Sequence, residues 1–284
     1  MHMFDYVLAG GGLQSGLIAL AVRARQPEAT IALIERDDAL GGNHTWCFHH
    51  EDAPEHVRDW LDPLVEWSWP GYSVHFQGFE SILDEPYAGV SSARLNDAVT
   101  EALAGGDGCV LRLGAEISEV HADRVVLADG DDVRGRAVID ARGARRSDAS
   151  AMRAGYQKFV GLEVELSEAH GLARPILMDA TVDQEDGYRF FYVLPFSDTR
   201  VLIEDTRFHD SPRLDAERLR GEVERYAGER GWVIDVVIRE ERGVLPMPWH
   251  HDIEPAGKAP LLAGYRGGWF HPGTGYSENW SFRA

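Results

Sequence analysis

Basic residues are scarce in this chain: 28 Lys and Arg stand against 47 Asp and Glu over 284 residues, a formal net charge of −19. Such a balance lacks the clustered cations needed to grip a phosphodiester backbone or anionic lipid heads by charge alone, which excludes nucleic-acid binding as the main task. Cysteine is almost absent. Cys47 and Cys109 are too few for a disulfide framework at this length and read as reduced thiols in a reducing compartment. Long hydrophobic runs are missing too. The most apolar stretch, 7–22, is broken by Gly10-Gly11-Gly12 and by Gln14-Ser15-Gly16, so it reads as strand, turn and helix and not as a membrane span. Met1 to Asp5 leads directly into a strand-like run without a signal peptide. A cytoplasmic protein is expected, with peripheral contact at the inner face of the cell membrane left open. Internal repeats and low-complexity tracts are also lacking. The remaining composition, 44% hydrophobic and 26% charged, is that of a folded chain long enough for one large domain or two modest ones.

The first fifty residues carry the clearest pattern. Phe4 to Ala9 is a short apolar strand ending in Gly10-Gly11-Gly12, and an Ala- and Leu-rich helix runs to Ala24. A second strand, Thr30 to Ile34, ends at Glu35. Strand, glycine turn, helix, strand and acid in this order form the dinucleotide-binding βαβ pattern. Gly10 permits the tight turn, and Gly12 lacks a β-carbon that would block a pyrophosphate. Ser15 and Gly16 let the helix pack closely on the strand. The helix N-terminus offers free N–H groups to the anion, and Glu35 can accept hydrogen bonds from an adenosine ribose.

The segment Glu35-Arg36-Asp37-Asp38-Ala39-Leu40-Gly41-Gly42-Asn43-His44-Thr45-Trp46 resembles the second glycine motif of FAD proteins in the glutathione-reductase-like superfamily. Farther on, Ala137 to Ala141, Arg142 and Gly143 resembles the strand-and-glycine segment that passes near the flavin nucleotide. Between them, Val110 to Val133 alternates like a small antiparallel meander with an Asp129-Gly130 turn. The implied fold class is α/β, an FAD-binding Rossmann-like domain with an inserted, mostly antiparallel sheet domain for the substrate. The expected division assigns 1–72, 94–155 and 243–284 to the FAD domain, and 73–93 and 156–242 to the substrate domain. Within the latter, Tyr188 to Leu194 and Arg200 to Glu204 are expected to pair antiparallel, and Ser211 to Tyr226 reads as an amphipathic helix with Pro212 near its start.

Seven further segments narrow the resemblance: Gly41 to Trp46, Tyr156 to Gly161, Met178 to Val182, Gly187 to Phe190, Leu194 to Phe196, Leu202-Ile203-Glu204-Asp205-Thr206, and Phe270-His271-Pro272 with Gly275-Tyr276-Ser277. In this order they resemble the bacterial lycopene β-cyclase family. The resemblance implies a reduced FAD bound by the glycine motifs and by His271, Pro272 and Gly275, with NAD(P)H as reductant. It also implies a redox-neutral closure of lycopene's linear ends into β-ionone rings, within carotenoid biosynthesis. In that family the last flavin motif is followed by a helix and a substantial further segment, whereas this sequence stops at Ala284. A chain lacking that C-terminal segment is therefore expected.

Such chemistry starts by protonating an alkene, a very weak base. It needs a neutral acid shielded from water, which a carboxyl group in an apolar setting supplies. Glu204 follows the apolar strand Val201-Leu202-Ile203 and matches the family's acidic motif. Asp205, its neighbour in the same acidic pair, points to the opposite strand face and is expected to act structurally or from behind the acid. Glu163 and Glu165 read as a wet surface pair. His44, His49 and His50 fit no common zinc spacing. Arg36 and Arg94 are candidates for flavin phosphates or for plain surface cations. Trp67-Ser68-Trp69 and Tyr188 to Tyr192 read either as tunnel lining or as core. Two other readings share the scaffold: a redox flavoprotein such as a hydroxylase or polyprenyl reductase, and an inactive remnant. Oligomeric state is not readable from the sequence.

Overall fold

A computed structural model of the protein describes residues 2–143, 154–185, 187–248, 260–271 and 273–276. The strands in chain order begin with β1 (Met3–Ala9), β2 (Ile31–Ile34), β3 (Thr45–His49), β4 (Trp67–Trp69), β5 (Tyr72–Phe76) and β6 (Phe79–Leu83). Next come β7 (Tyr87–Ser91), β8 (Val110–Arg112), β9 (Ile117–Val120), β10 (Arg124–Leu127), β11 (Asp132–Asp140) and β12 (Ala154–Leu166). The last are β13 (Ile176–Asp179), β14 (Arg189–Pro195), β15 (Arg200–His209), β16 (Ile234–Pro248) and β17 (Leu261–Leu262). The α-helices are α1 (Leu13–Arg25), α2 (Arg58–Leu61), α3 (Ser92–Ala104) and α4 (Ala216–Glu229). The chain divides into two compact units, one of Met1–Glu66, Gly89–Asp148 and His251–Ala284, the other of Trp67–Ala88 and Ala149–His250.

The first unit is built on a sheet ordered β8-β2-β1-β11-β10-β9, with β17 also pairing β11. Its centre is parallel: β1 pairs with both β2 and β11. Strands covered on both faces read as continuous apolar runs, and every residue of Ile31-Ala32-Leu33-Ile34 is buried. Val7, Ala9, Ala32, Ile34, Val125, Val133 and Val138 form its core. Each such side chain removed from water contributes about 1.5–3 kcal/mol before entropy is subtracted. The antiparallel meander is shorter than the sequence pattern suggests. It comprises β9, β10 and β11, whereas Val110–Arg112 lies parallel beside β2. Alternation alone does not distinguish a meander strand from a short edge strand of the main sheet.

The second unit is a sheet ordered β16-β12-β15-β14-β13-β5-β6, antiparallel except where β13 meets β5. Leu162, Val164, Phe191, Val193, Val201 and Ile203 present one face to Val223, Tyr226 and Ala227 of α4. That helix begins after Asp215, whose carboxylate caps the Arg218 N–H at 3.2 Å. Pro212 therefore lies ahead of the helix and outside it, because the side-chain cap sets the start. Strand β16 runs unbroken through 242–243, paired with β12 on either side.

Candidate active site

The carboxyl ends of β1, β2 and β11 bring three segments of the first unit together, the place where open α/β sheets bind ligands. Gly10 turns out of β1 at φ +95°, and a β-carbon there would lie 2.9 Å from the Arg142 backbone. Its N–H donates to the Ile34 carbonyl at 2.9 Å. Gly12 caps α1 without any side-chain bond, and a β-carbon at Gly12 would meet nothing within 4 Å. No acidic residue stands in the first turn of α1. Ser15, wholly buried in this turn, has a hydroxyl with no hydrogen-bond partner among the described residues. An uncapped helix start, open space at Gly12 and an orphaned buried hydroxyl together fit the phosphates of a dinucleotide.

Glu35 holds the turn from the other side, its carboxylate accepting from the Gly11 N–H at 2.5 Å and the Asp37 N–H at 3.0 Å. Gly41 and Gly42 both take positive φ, +80° and +62°, and the Gly41 N–H donates to the Gly11 carbonyl at 2.8 Å. Gly16 departs from its expected task. A β-carbon there would strike Leu95 of α3 at 2.8 Å, so the glycine brings α1 close to a helix and not to β1. Arg36 is exposed beside Asp37, and Arg94 donates to the Pro63 carbonyl at 2.9 Å.

Beyond β11, the Ala141 N–H donates to the Ala9 carbonyl and Gly143 turns at φ +77°. Buried Asp140 accepts a two-pronged bond from Arg142 and pairs with Arg266 at 3.2 Å. Burial pushes its carboxyl up, but the two guanidinium groups prevail and hold it below the usual range. Exposed His271 closes a tight loop in which its carbonyl accepts from the Gly275 N–H at 2.8 Å. Gly275 has φ +72°, and the Tyr276 hydroxyl donates to Asp52 at 2.6 Å. Pro272 lies outside the described residues.

The second unit holds Glu204. Cross-strand register places Tyr192, Glu204, Gly161 and Glu241 in one row across β14, β15, β12 and β16, and residues facing each other in register share a sheet face. Phe190, Thr206, Phe159 and Gly243 form the next row. A β-carbon on Gly243 would lie 2.5 Å from the Phe159 ring, so this glycine lets the ring lie flat. Glu204 is half-buried on this face, and the Thr206 hydroxyl donates to its Oε1 at 2.6 Å. Burial pushes its carboxyl up, the negative charge of Glu241 adds to this, the Thr206 bond opposes it, and the outcome is about 8.

Asp205 points the other way. Wholly buried on the α4 face, it receives Arg189 through two bonds of 2.9 Å and Arg207 at 2.8 Å. It belongs to the packing and is absent from the Glu204 face, the structural place that strand alternation predicts for it. Glu163 is corrected. Instead of a wet surface group it is 3% exposed, bonded to Arg239 at 2.9 Å and to Arg200 at 2.5 Å. Alternation showed only that Glu163 and Glu165 share a face, not that arginines from two other strands converge on one of them. Glu241 was missed altogether. Its signal was available in the charged run Arg239-Glu240-Glu241-Arg242, inside which a strand alternates, but its neighbour Glu204 is far away in sequence.

The profile of the family described as lycopene cyclase protein matches residues 5–284. The chain belongs to the lycopene cyclase family. The lycopene beta-cyclase of Pantoea ananas is 43% identical over 276 residues, covering 96% of this chain and 71% of that protein. The lycopene beta-cyclase of Pseudescherichia vulneris is 45% identical over 278 residues, covering 97% and 70%. Among solved structures, the flavin-dependent brominase Bmp2 shares the fold at 14% identity, with a TM-score of 0.66 over 99% of this chain and 76% of that one. This chain thus has an α/β, FAD-binding Rossmann-like fold with a mostly antiparallel second sheet. The first unit holds a glycine-turn cradle that fits a dinucleotide, and the second holds the Glu204 carboxyl, pushed up to about 8.

Proposed function

We propose that the chain closes the linear ends of lycopene into β-ionone rings without net redox change, giving β-carotene, with FAD bound in its reduced form and NAD(P)H as the source of its electrons. The observation that carries this reading is the half-buried Glu204 carboxyl on an aromatic sheet face, pushed up to about 8 by burial and Glu241, within a chain of the lycopene cyclase family. Glu204 passes its proton to the terminal trisubstituted double bond at its less substituted carbon, leaving a tertiary cation. The neighbouring double bond attacks that cation and closes the ring. A ring proton then leaves to the Glu204 carboxylate and restores the acid, so no atom or electron is gained or lost. Phe190, Tyr192 and Phe208 share the Glu204 face, and their ring faces stabilise positive charge. When bound, the reduced flavin supplies negative charge that stabilises a carbocation.

In the first unit, the Gly10–Gly12 turn, the α1 start with Ser15, and Glu35 hold the dinucleotide. The motif glycines Gly41, Gly42, Gly143 and Gly275, with Arg36, Ala141 and His271, complete its setting. A lipid-dissolved polyene calls for peripheral contact at the cytoplasmic face of the membrane; no described helix is long and apolar enough to cross one.

The test is expression in lycopene-accumulating cells followed by pigment analysis. The parent chain is expected to yield cyclic carotenoid. Glu204→Gln is expected to leave lycopene unconverted while flavin absorbance persists. Ring closure by that variant removes Glu204 from the acid role. Stoichiometric NAD(P)H consumption per product would instead place the chain among redox flavoproteins.

A further inference from the structure

Among the described residues, the carboxyl groups of Glu163, Glu204 and Glu241 and the guanidinium groups of Arg200 and Arg239 meet on the acid's sheet face. Arg239 on β16 donates to Glu163 on β12 and to Glu241 on its own strand, each at 2.9 Å. Arg200 on β15 also holds Glu163. Glu163 and Glu241 are each 3% exposed and directly paired with arginine. Glu204 has no Lys or Arg partner among the described residues; its neighbours are the Thr206 hydroxyl, which donates to it, and Glu241, which lies in the same cross-strand row. Tyr192, facing it from β14, bonds its hydroxyl to that of Tyr87. Asp205 lies behind the sheet, already neutralised by Arg189 and Arg207. Of Glu163, Glu204 and Glu241, Glu204 alone meets no arginine among the described residues.

Gly161 makes the contact possible. It stands between Glu204 and Glu241 in the register, and a β-carbon there would sit 3.2 Å from Glu241 Cγ and 3.3 Å from Glu204 Cβ. The missing side chain leaves a lane through which the two carboxyl groups meet across an intervening strand.

We infer that Glu241 is a positioning residue for the acid: anchored as a carboxylate by Arg239, it shares one proton with Glu204 across Gly161 and so keeps Glu204 protonated in the resting protein. This deepens the proposed cyclisation and rests on Glu204 being its acid. Two like charges facing each other across one glycine in a cross-strand row cannot both persist cheaply, so the pair binds one proton tightly. Once that proton moves to the alkene, Glu204 is left as a carboxylate beside another carboxylate. It is then a strong base for the ring proton that must leave, and acid and base are one group.

The test is the pH dependence of ring formation by flavin-loaded protein with lycopene in detergent micelles. Parent, Glu204→Gln, Glu241→Gln and Arg239→Met are compared, and flavin absorbance is recorded for each. Glu241→Gln removes the like charge and supplies an amide donor to the Glu204 carboxylate. Its alkaline limb is expected to fall by at least about one pH unit, roughly a tenfold loss on that limb, while the acid plateau persists. Arg239→Met removes the cation that favours the ionised pair, so its alkaline limb is expected to rise. Opposite displacements are not the signature of a merely loosened fold. If Glu241→Gln does not fold, the direction in Arg239→Met decides alone, and no rise overturns the inference. An unmoved limb in Glu241→Gln, with Glu204→Gln inactive, overturns the proton sharing and leaves the acid standing. Ring formation by Glu204→Gln overturns both.

Discussion

Glu204 and Asp205 are adjacent carboxyl groups on opposite faces of one strand. Asp205 is wholly buried and ion-paired with Arg189 and Arg207, whereas Glu204 faces another carboxyl group, and burial and that charge push it up to about 8. The second arrangement costs stability. A carboxyl whose folded pKa is raised binds its proton more tightly in the native state, so its penalty is absent below the unfolded value near 4.5 and grows as pH rises toward about 8. Glu204→Gln is therefore expected to melt at a higher temperature than the parent at pH 8 and at nearly the same temperature at pH 4.5, as followed by circular dichroism. Equal melting temperatures at pH 8 would mean that the carboxyl is not held neutral. At Gly161, an added methyl must displace Leu202, Glu204 and Glu241 together. Gly161→Ala is expected to cost about 1–3 kcal/mol in urea unfolding and to depress ring formation.

The strands separate these roles because their side chains alternate, and α4 covers only one of the two faces. The Arg189 guanidinium, 1% exposed, joins Asp205 to Glu222 of α4. Replacing it by Ala strands a buried carboxylate with Arg207 alone, and a loss of about 3 kcal/mol in chemical denaturation is expected. A second tie lies at the end of β13, where Asp179 accepts from the Tyr226 hydroxyl at 2.6 Å and from Arg230 at 2.5 Å. Burial pushes the Asp179 carboxyl up, but Thr181, Tyr226 and Arg230 outweigh it and hold it low. The stability it contributes is present at neutral pH and disappears as pH falls through that lowered value. Asp179→Asn should be less stable than the parent at pH 7, with the gap closing toward pH 2. A gap independent of pH would argue against the ionised carboxylate.

Much of this was legible along the chain. The glycine turn between β1 and α1 is marked by residue types that only a few backbone shapes require, and the opposite facing of Glu204 and Asp205 follows from a period of two. Contacts between distant segments were not legible. Gly16 meets Leu95 on α3, Glu163 meets Arg239 on β16, and Glu241 meets Glu204 over a third strand. No local pattern encodes which strand lies next to which, and a lone Glu in a charged run looks solvated until its arginine arrives.

Taken together, the two units split one proposed reaction into separately testable parts. The cradle predicts that added FAD protects the folded chain: at about a hundredfold excess over its dissociation constant, a ligand binding only the native state adds about 2.7 kcal/mol. No upward shift of the melting transition with added FAD would count against the cradle. A change at Glu204 should leave this protection intact, since its carboxyl lies in the other unit.

The alternation within β15 also limits how this segment can vary. Inserting or deleting one residue ahead of Leu202 exchanges the two carboxyls, turning Asp205 toward the aromatic side and Glu204 toward the arginines under α4. Both groups are then misplaced at once, an ion pair lost and a proton donor hidden. Lineages carrying this chain can therefore redecorate the outer surface of α4 freely, yet they can hardly tolerate a single-codon gain or loss there.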